Sequence, residues 1–227
     1  MNLSMIFDMD GTLFQTDKIL ELSLDATFQE LRRNGLWEEG TPIELYRQIM
    51  GVPLSVVWET LLPNHSNDTR TMANDFFHDQ LIQNILSGNG ELYPHVMELF
   101  TSLKNENIPI FIASNGLTHY LETIVKHYQL QKWVTEVFSI QEIQSKEKSD
   151  LVRMILAKYK IHRGAVVGDR LSDIKAAKSN GLHAIGCRFD FAQEDELSQA
   201  DFVVDDLMEI KEITKRLLEM KEERINS

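Results

Sequence analysis

Met5-Ile6-Phe7-Asp8-Met9-Asp10-Gly11-Thr12-Leu13 decides the reading of this 227-residue chain. Leu3 to Phe7 is an apolar run of strand length, and it stops at two carboxylates separated by a single apolar residue. Alternate residues of an extended chain point the same way, so Asp8 and Asp10 face one pocket if the extended geometry continues through Met9. Two such carboxylates repel, and only a cation or a shared proton relieves them. Gly11 then permits a turn that other residues resist. Two blander readings compete with a site. Asp and Gly favour turns, so the stretch could be a plain exit from a strand. A calcium loop would need further oxygen ligands and a bidentate acid near its twelfth position, and the residues from Leu13 to Leu20 supply no such pattern.

The next seventy or so residues read as helical. Lys18 to Arg33 carries Leu20, Leu24, Phe28 and Leu31 at helical spacing, with Gly35 as a stop. Thr41-Pro42-Ile43-Glu44 has a capping-box pattern with proline at the first helical position, and Gly51 closes that helix. Pro53 to Leu62 and Asn67 to Leu86 follow, separated by Pro63, and Gly88-Asn89-Gly90 marks a hinge or boundary. Beyond it helix and strand alternate. Strands are predicted at Ile108 to Ala113, Val137 to Ser139, Ala165 to Gly168, His183 to Cys187 and Phe202 to Val204. Helices are predicted at Tyr93 to Asn105, Thr118 to Tyr128, Ser149 to Lys160, Asp173 to Asn180 and Leu207 to Glu223. Alternation of this kind predicts an α/β fold, a doubly wound parallel sheet with helices on both faces. The opening strand belongs to that sheet, which divides the chain into a core of residues 1–15 and 88–227 and a helical insertion of residues 16–87.

Ligands of such sheets bind outside the carboxyl ends of the strands. Three predicted strands end in polar residues: Asp8-Met9-Asp10, Ser114-Asn115-Gly116, and Gly168-Asp169-Arg170-Leu171-Ser172-Asp173. If these strands are neighbours, four carboxylates and a hydroxyl share one pocket, which calls for a cation. Magnesium suits hard oxygen ligands and leaves room for a substrate phosphate. Ser114 and the backbone amides after it can donate to an anion. Each piece alone is an ordinary turn or strand exit; their joint occurrence is what points to a site.

Bulk properties exclude several classes. The composition, 43% hydrophobic and 26% charged, is that of a globular protein with a sizeable core. A formal net charge of −12 repels nucleic acid and anionic membranes. No stretch approaches the roughly 18 apolar residues of a membrane span, and no basic segment precedes a long apolar run, so neither export nor anchoring is expected. The single Cys187, in the apolar run Ala184 to Cys187, reads as a buried structural thiol in a reducing cytoplasm. The seven histidines show no zinc-protease spacing. Trp37, Trp58 and Trp133 read as packing residues, and the acid-rich run Gln193 to Glu196 as a solvated face.

Over nearly its whole length the sequence resembles the haloacid dehalogenase superfamily, in the branch of phosphatases with a helical cap inserted after the first strand. The first motif of that family, Asp-x-Asp-Gly-Thr, corresponds to Asp8 to Thr12; its second, a Ser or Thr ending a strand, to Ser114; its acidic pair, to Asp169 and Asp173. The remaining motif is a lysine. Lys146 and Lys148 both qualify, and Lys148 is favoured because it directly precedes the helix beginning Ser149-Asp150-Leu151; the proline that follows this lysine in many relatives is absent here. The resemblance implies a Rossmann-like core and phosphate-ester hydrolysis. Asp8 is expected to attack phosphorus, giving an aspartyl-phosphate, while Asp10 serves as acid and then base. Asp8, the backbone of Asp10, and Asp169 are expected to hold Mg2+, with Asp173 orienting Lys148 or contacting metal-bound water. Ser114 and Lys148 are expected to stabilise the phosphoryl oxygens, and Thr12, Asn115 and Gly116 are candidate substrate contacts.

Alternatives within the fold are weaker. A departing halide needs no proton donor, so Asp10 argues for phosphate. Phosphonate hydrolysis needs a cap lysine, and none lies between Lys18 and Lys104. Phosphosugar mutases place basic residues after the cap glycine, whereas Gly51 is followed by Val52-Pro53-Leu54-Ser55, which looks closer to phosphoglycolate-phosphatase-like caps. A catalytically silent binding protein would lack Asp8, Asp10 or Asp169. A cap closing about Phe14 to Thr16 and Gly88 to Gly90 favours a small phosphomonoester: a phosphorylated sugar, short acid or nucleoside monophosphate.

Overall fold

A computed structural model describes residues 3–49, 54–190 and 192–225. By contact the chain divides into two compact units, one of Met1–Gln15 with Leu92–Ser227 and one of Thr16–Glu91.

The first unit is built on a six-stranded sheet in the order β3-β2-β1-β4-β5-β6, every pairing parallel. Its strands are β1 (Ser4–Phe7), β2 (Ile110–Ser114), β3 (Glu136–Ser139), β4 (Gly164–Gly168), β5 (His183–Cys187) and β6 (Phe202–Val204). All residues of β1, β2 and β4 are buried, as a sheet covered on both faces requires. In chain order the strands proceed outward from β1 to one edge and then restart on its other side at β4. The reversal between β1 and β4 is where an open α/β sheet presents its crevice. Phe7 is level with Ile112 and with Val167, so the three chains leave the sheet together just beyond that row.

The helices of this unit are α5 (Val96–Asn105), α6 (Thr118–His127), α7 (Lys148–Tyr159), α8 (Leu171–Ser179), the short α9 (Glu194–Leu197) and α10 (Glu209–Ile225). Leu151, Val152 and Ile155 of α7 and Ile174, Ala176 and Ala177 of α8 pack with Ile6, Phe111 and Val166 of the sheet. The second strand starts two residues later than expected because Pro109 has no N–H. Its carbonyl still accepts the Met5 N–H at 2.9 Å, so the ladder loses one donor only.

The second unit is helical: α1 (Asp17–Arg33), α2 (Ile43–Gln48), α3 (Leu54–Leu61) and α4 (Asn67–Leu86). Leu24, Phe28 and Leu31 of α1 are buried, as are Phe77, Leu81 and Ile85 of α4. The three tryptophans pack: Trp58 meets Phe77 edge-on at 5.7 Å and Trp37 meets Phe28 at 4.9 Å, while in the first unit the Trp133 indole donates to Thr101 Oγ1 at 3.1 Å. The capping box at Thr41 does not form. Pro42 is the N-cap residue, and the Thr41 hydroxyl donates instead to Asp25 Oδ1 at 2.5 Å, a charged acceptor that outcompetes a local amide. Gly88 and Asn89 finish α4, since their N–H groups donate to Ile85 and Asn84 carbonyls. Gly51 and the stretch through Val52 and Pro53 lie outside the described residues. Among the described residues no helix is long and apolar enough to cross a membrane.

Candidate active site

The tips of β1, β2 and β4 are held by the backbone. Asp8 continues β1 by one residue, its N–H donating to the Val167 carbonyl at 2.8 Å. The chain then coils tightly: the Leu13 and Phe14 N–H groups both reach the Met9 carbonyl at 2.9 Å, with Gly11 at φ +73°. A side chain at Gly11 would be strained by that φ and would put its Cβ 2.5 Å from Asp169 Oδ2. Gly168 is constrained in the same sense, because a Cβ there would overlap the Asp173 carboxyl. Each glycine clears the space that a buried carboxylate fills.

Asp8, Asp169 and Asp173 are all buried, and each offers an oxygen within 4.8 Å of the others. Lys148, on the first turn of α7 and 3% exposed, reaches into this cluster, its Nζ 2.8 Å from Asp8 Oδ1 and 2.5 Å from Asp173 Oδ1. Lys146, by contrast, is exposed and takes the left-handed conformation at φ +60° in the loop before the helix. Of the two lysines only Lys148 meets the carboxylates.

Three carboxylates against one ammonium leave surplus negative charge in a buried site. Burial, and then the charges of Asp8 and Asp173, push the Asp169 carboxyl well above the usual carboxylate range. Burial also raises Asp173, to about 6, against the opposing pull of Lys148. Burial works to lower the Lys148 ammonium, but Asp173 and Asp8 outweigh it and hold the lysine protonated. The carboxylate oxygens of Asp8, Asp169 and Asp173 suit a hard divalent cation, which would supply the missing positive charge.

The other sequence-predicted residues are distributed around this cluster. The fully buried Thr12 donates its hydroxyl to Asp169 Oδ1 at 3.1 Å and so braces that carboxylate. Ser114 is fully buried at the end of β2, and its Oγ accepts the Gly116 N–H at 3.0 Å. That amide is therefore committed to Ser114, and the Gly116 carbonyl is held by Ser139 Oγ at 2.7 Å. Asn115 is exposed. The Asp10 carboxyl lies outside the three-carboxylate group and accepts a 2.6 Å hydrogen bond from the Tyr120 hydroxyl. Cys187 is buried on β5, and burial followed by the charges of Asp169, Asp173 and Asp8 pushes its thiol far up, as befits an inert structural residue.

Two residues have positions here that their sequence setting does not reveal. Tyr120 sits on the apolar face of α6 and reads as core; its hydroxyl finds Asp10 only because β2 lies beside β1. Glu196, in the run expected to be a solvated face, is instead half-buried. It accepts the Leu171 N–H at 2.8 Å and the Arg170 guanidinium at 3.0 and 3.2 Å, fixing the loop between Asp169 and Asp173. The Arg170 N–H meanwhile donates to Asp173 Oδ2 at 3.2 Å.

The chain is similar to known proteins across nearly its full length. It is 25% identical over 220 residues to a phosphoglycolate phosphatase of Vibrio parahaemolyticus, covering 91% of this chain and 93% of the relative. It is 21% identical over 215 residues to the pyrophosphatase PpaX of Oceanobacillus iheyensis, covering 91% and 94%. Its fold matches the crystal structure of a predicted phosphoglycolate phosphatase from Haemophilus somnus with a TM-score of 0.83 at 20% identity, over 94% of this chain and 98% of that one. The family model for haloacid dehalogenase-like hydrolases matches residues 5–187, and the chain belongs to that family.

Proposed function

We propose that the protein is a magnesium-dependent phosphatase that hydrolyses a small phosphomonoester through an aspartyl-phosphate on Asp8. The observation that carries this reading is the cluster of Asp8, Lys148, Asp169 and Asp173 at the carboxyl ends of adjacent strands, with Asp10 two residues after Asp8 and Ser114 at the end of the neighbouring β2. The phosphatase and pyrophosphatase names of the sequence relatives point the same way.

Asp8 is suited to attack because its carboxylate lies at the strand tip, held at Oδ1 by the Met9 N–H at 2.7 Å and by Lys148. Asp8 and Asp169, together with the Asp10 carbonyl, would hold magnesium, which when bound would supply the charge neutralisation that lets an anionic phosphate approach an anionic nucleophile. In the first step the Asp8 carboxylate forms a bond to phosphorus, the bond to the leaving oxygen breaks, and Asp10 gives that oxygen a proton. In the second, Asp10 takes a proton from water as the water oxygen bonds to phosphorus, and the Asp8 carboxylate departs. Lys148 and the Ser114 hydroxyl steady the phosphoryl oxygens, while Asp173 orients Lys148 through its 2.5 Å ion pair. Selection among phosphomonoesters is assigned to the helical unit acting as a cap. A cytoplasmic setting, with no nucleic-acid or membrane partner, accompanies this reading.

The test is release of inorganic phosphate from a panel of phosphorylated metabolites and one aryl phosphate. Activity is expected with magnesium and none in chelator, with calcium inhibitory because its looser coordination misplaces the nucleophile. Full activity in chelator, or silence across the whole panel, would contradict the proposal. The assignment of Asp10 has its own check in steady-state kinetics of Asp10→Asn. Alkyl phosphates, whose leaving oxygen must be protonated, should lose about 10²- to 10⁴-fold, and aryl phosphates less. Equal losses on both would count against a proton-donating role.

A further inference from the structure

We infer that Glu196 is a positioning residue for the cation site: from outside the carboxylate cluster it holds the segment that joins Asp169 to Asp173, and the tightness of magnesium binding depends on it. The inference rests on the function proposed above and adds to it how the carboxylates are kept in place for the cation.

Asp169 and Asp173 stand at the two ends of the segment that leaves β4 and enters α8. Each has a local restraint, Asp169 from the Thr12 hydroxyl and Asp173 from the Arg170 N–H. Glu196 grips the backbone and side chain between them. Its carboxylate accepts the N–H of Leu171 at 2.8 Å, the first residue of α8, whose N–H has no acceptor within the helix. The same carboxylate receives the Arg170 guanidinium as a fork, at 3.0 and 3.2 Å. Two parallel charge-assisted bonds of this kind fix orientation as well as distance. The pair is largely sheltered from solvent, with the side chains of Arg170 and Glu196 23% and 15% exposed.

A helix of four residues does not by itself hold a carboxylate in place. The short α9 is seated by its next residue, Leu197, which is 1% exposed and lies over Gly186 of β5, where a Cβ would stand 2.7 Å from Leu197 Cδ2. Gly186 is level with Gly168, the residue before Asp169. Glu196 is therefore indexed to the same strand ends as the acids it steadies. The other two acids of α9 serve differently, Glu194 pairing with Arg188 at 2.6 Å and Asp195 being exposed.

The experiment is a calorimetric titration of the full chain with magnesium chloride, for wild type, Glu196→Ala, Glu196→Gln and Asp195→Ala. Groups that orient a metal's ligands from behind are worth about 10- to 100-fold in affinity. Glu196 acts one bond further out, so Glu196→Ala should bind magnesium about tenfold more weakly. Glu196→Gln keeps an acceptor for Leu171 and should lose less. Asp195→Ala removes an equal charge from the same helix and should bind as wild type does. In phosphate release, Glu196→Ala should need correspondingly more magnesium for half its maximal rate, with kcat restored near wild type at saturation. Affinity of Glu196→Ala within twofold of wild type, or an equal loss in Asp195→Ala, would overturn the inference, even if Glu196→Ala melts lower in chelator. A residue serving the fold alone moves the melting point and leaves the affinity unchanged. If Glu196→Ala does not fold, Glu196→Gln carries the same test, with wild-type affinity overturning the inference. A wild type that binds no magnesium removes both the inference and the proposed function. One that binds and turns over, while the Glu196 variants bind alike, removes Glu196 only.

Discussion

Asp8→Asn is expected to abolish turnover, by about 10⁴-fold or more, while the protein folds as before. An amide oxygen does not attack phosphorus at a useful rate, and among the described residues no other carboxylate takes the place of Asp8 at the tip of β1: Asp169 follows β4, Asp173 lies on α8, and Asp10 accepts a hydrogen bond from Tyr120. The effect on stability separates a catalytic role from a structural one. Three buried carboxylates face one ammonium, so replacing Asp8 by a neutral isostere relieves repulsion while Lys148 keeps Asp173 at 2.5 Å. In chelator the variant should melt at the wild-type temperature or above it. Magnesium should raise the melting point of wild type more than that of the variant, because one of its ligands has gone and stabilisation follows binding. Thermal melts with and without magnesium, run beside phosphate-release assays, check both halves. A variant retaining substantial phosphatase activity would remove Asp8 from the nucleophile's role.

Lys148→Ala should damage both activity and stability. Removing a cation aimed at the phosphoryl oxygens costs on the order of 10²- to 10³-fold in rate, comparable to loss of an oxyanion-hole donor. It also leaves Asp8 and Asp173, buried partners of Lys148 at 2.8 and 2.5 Å, without their counter-charge. Breaking a buried pair from one side costs about 3 to 5 kcal/mol. The loss should be largest in chelator and partly recovered by magnesium, which replaces some of the missing positive charge. Lys146→Ala is the control. That residue is exposed in a loop, and its removal should change stability by no more than about 0.5 kcal/mol and leave the rate alone. Denaturant unfolding and phosphate release on the two variants decide the ranking, and a reversed ranking would exchange the two lysines.

Much of this site is legible in the sequence because its parts are local. The charge of Asp8 and Asp10 appears where an apolar strand stops, Ser114 and Asp169 appear at two more strand ends, and Lys148 stands at the first turn of a helix. What spacing does not show is which strand ends are neighbours; the order β2-β1-β4 supplies that. The residues that escape notice work across long separations. Tyr120 is 110 positions from Asp10, and Glu196 is 25 from Leu171, so neither leaves a local pattern. Both also wear ordinary disguises, a tyrosine on an apolar helix face and an acid in an acidic run. Thr41 shows the converse failure: its capping-box spacing is intact, but Asp25 on α1 offers the hydroxyl a charged acceptor that the local pattern does not contain.

The covalent intermediate is the claim on which the rest depends, and an acid quench tests it directly. Asp10→Asn retains the nucleophile and lacks the base for the second step, so an activated aryl phosphate should load it and stall there. Quenched within a turnover in magnesium, digested and mapped by mass spectrometry, the variant is expected to carry one phosphoryl group on Asp8, and none when Asp8→Asn is added. Phosphate release with the phosphoryl group on another side chain, or turnover that persists without Asp8, would contradict the account.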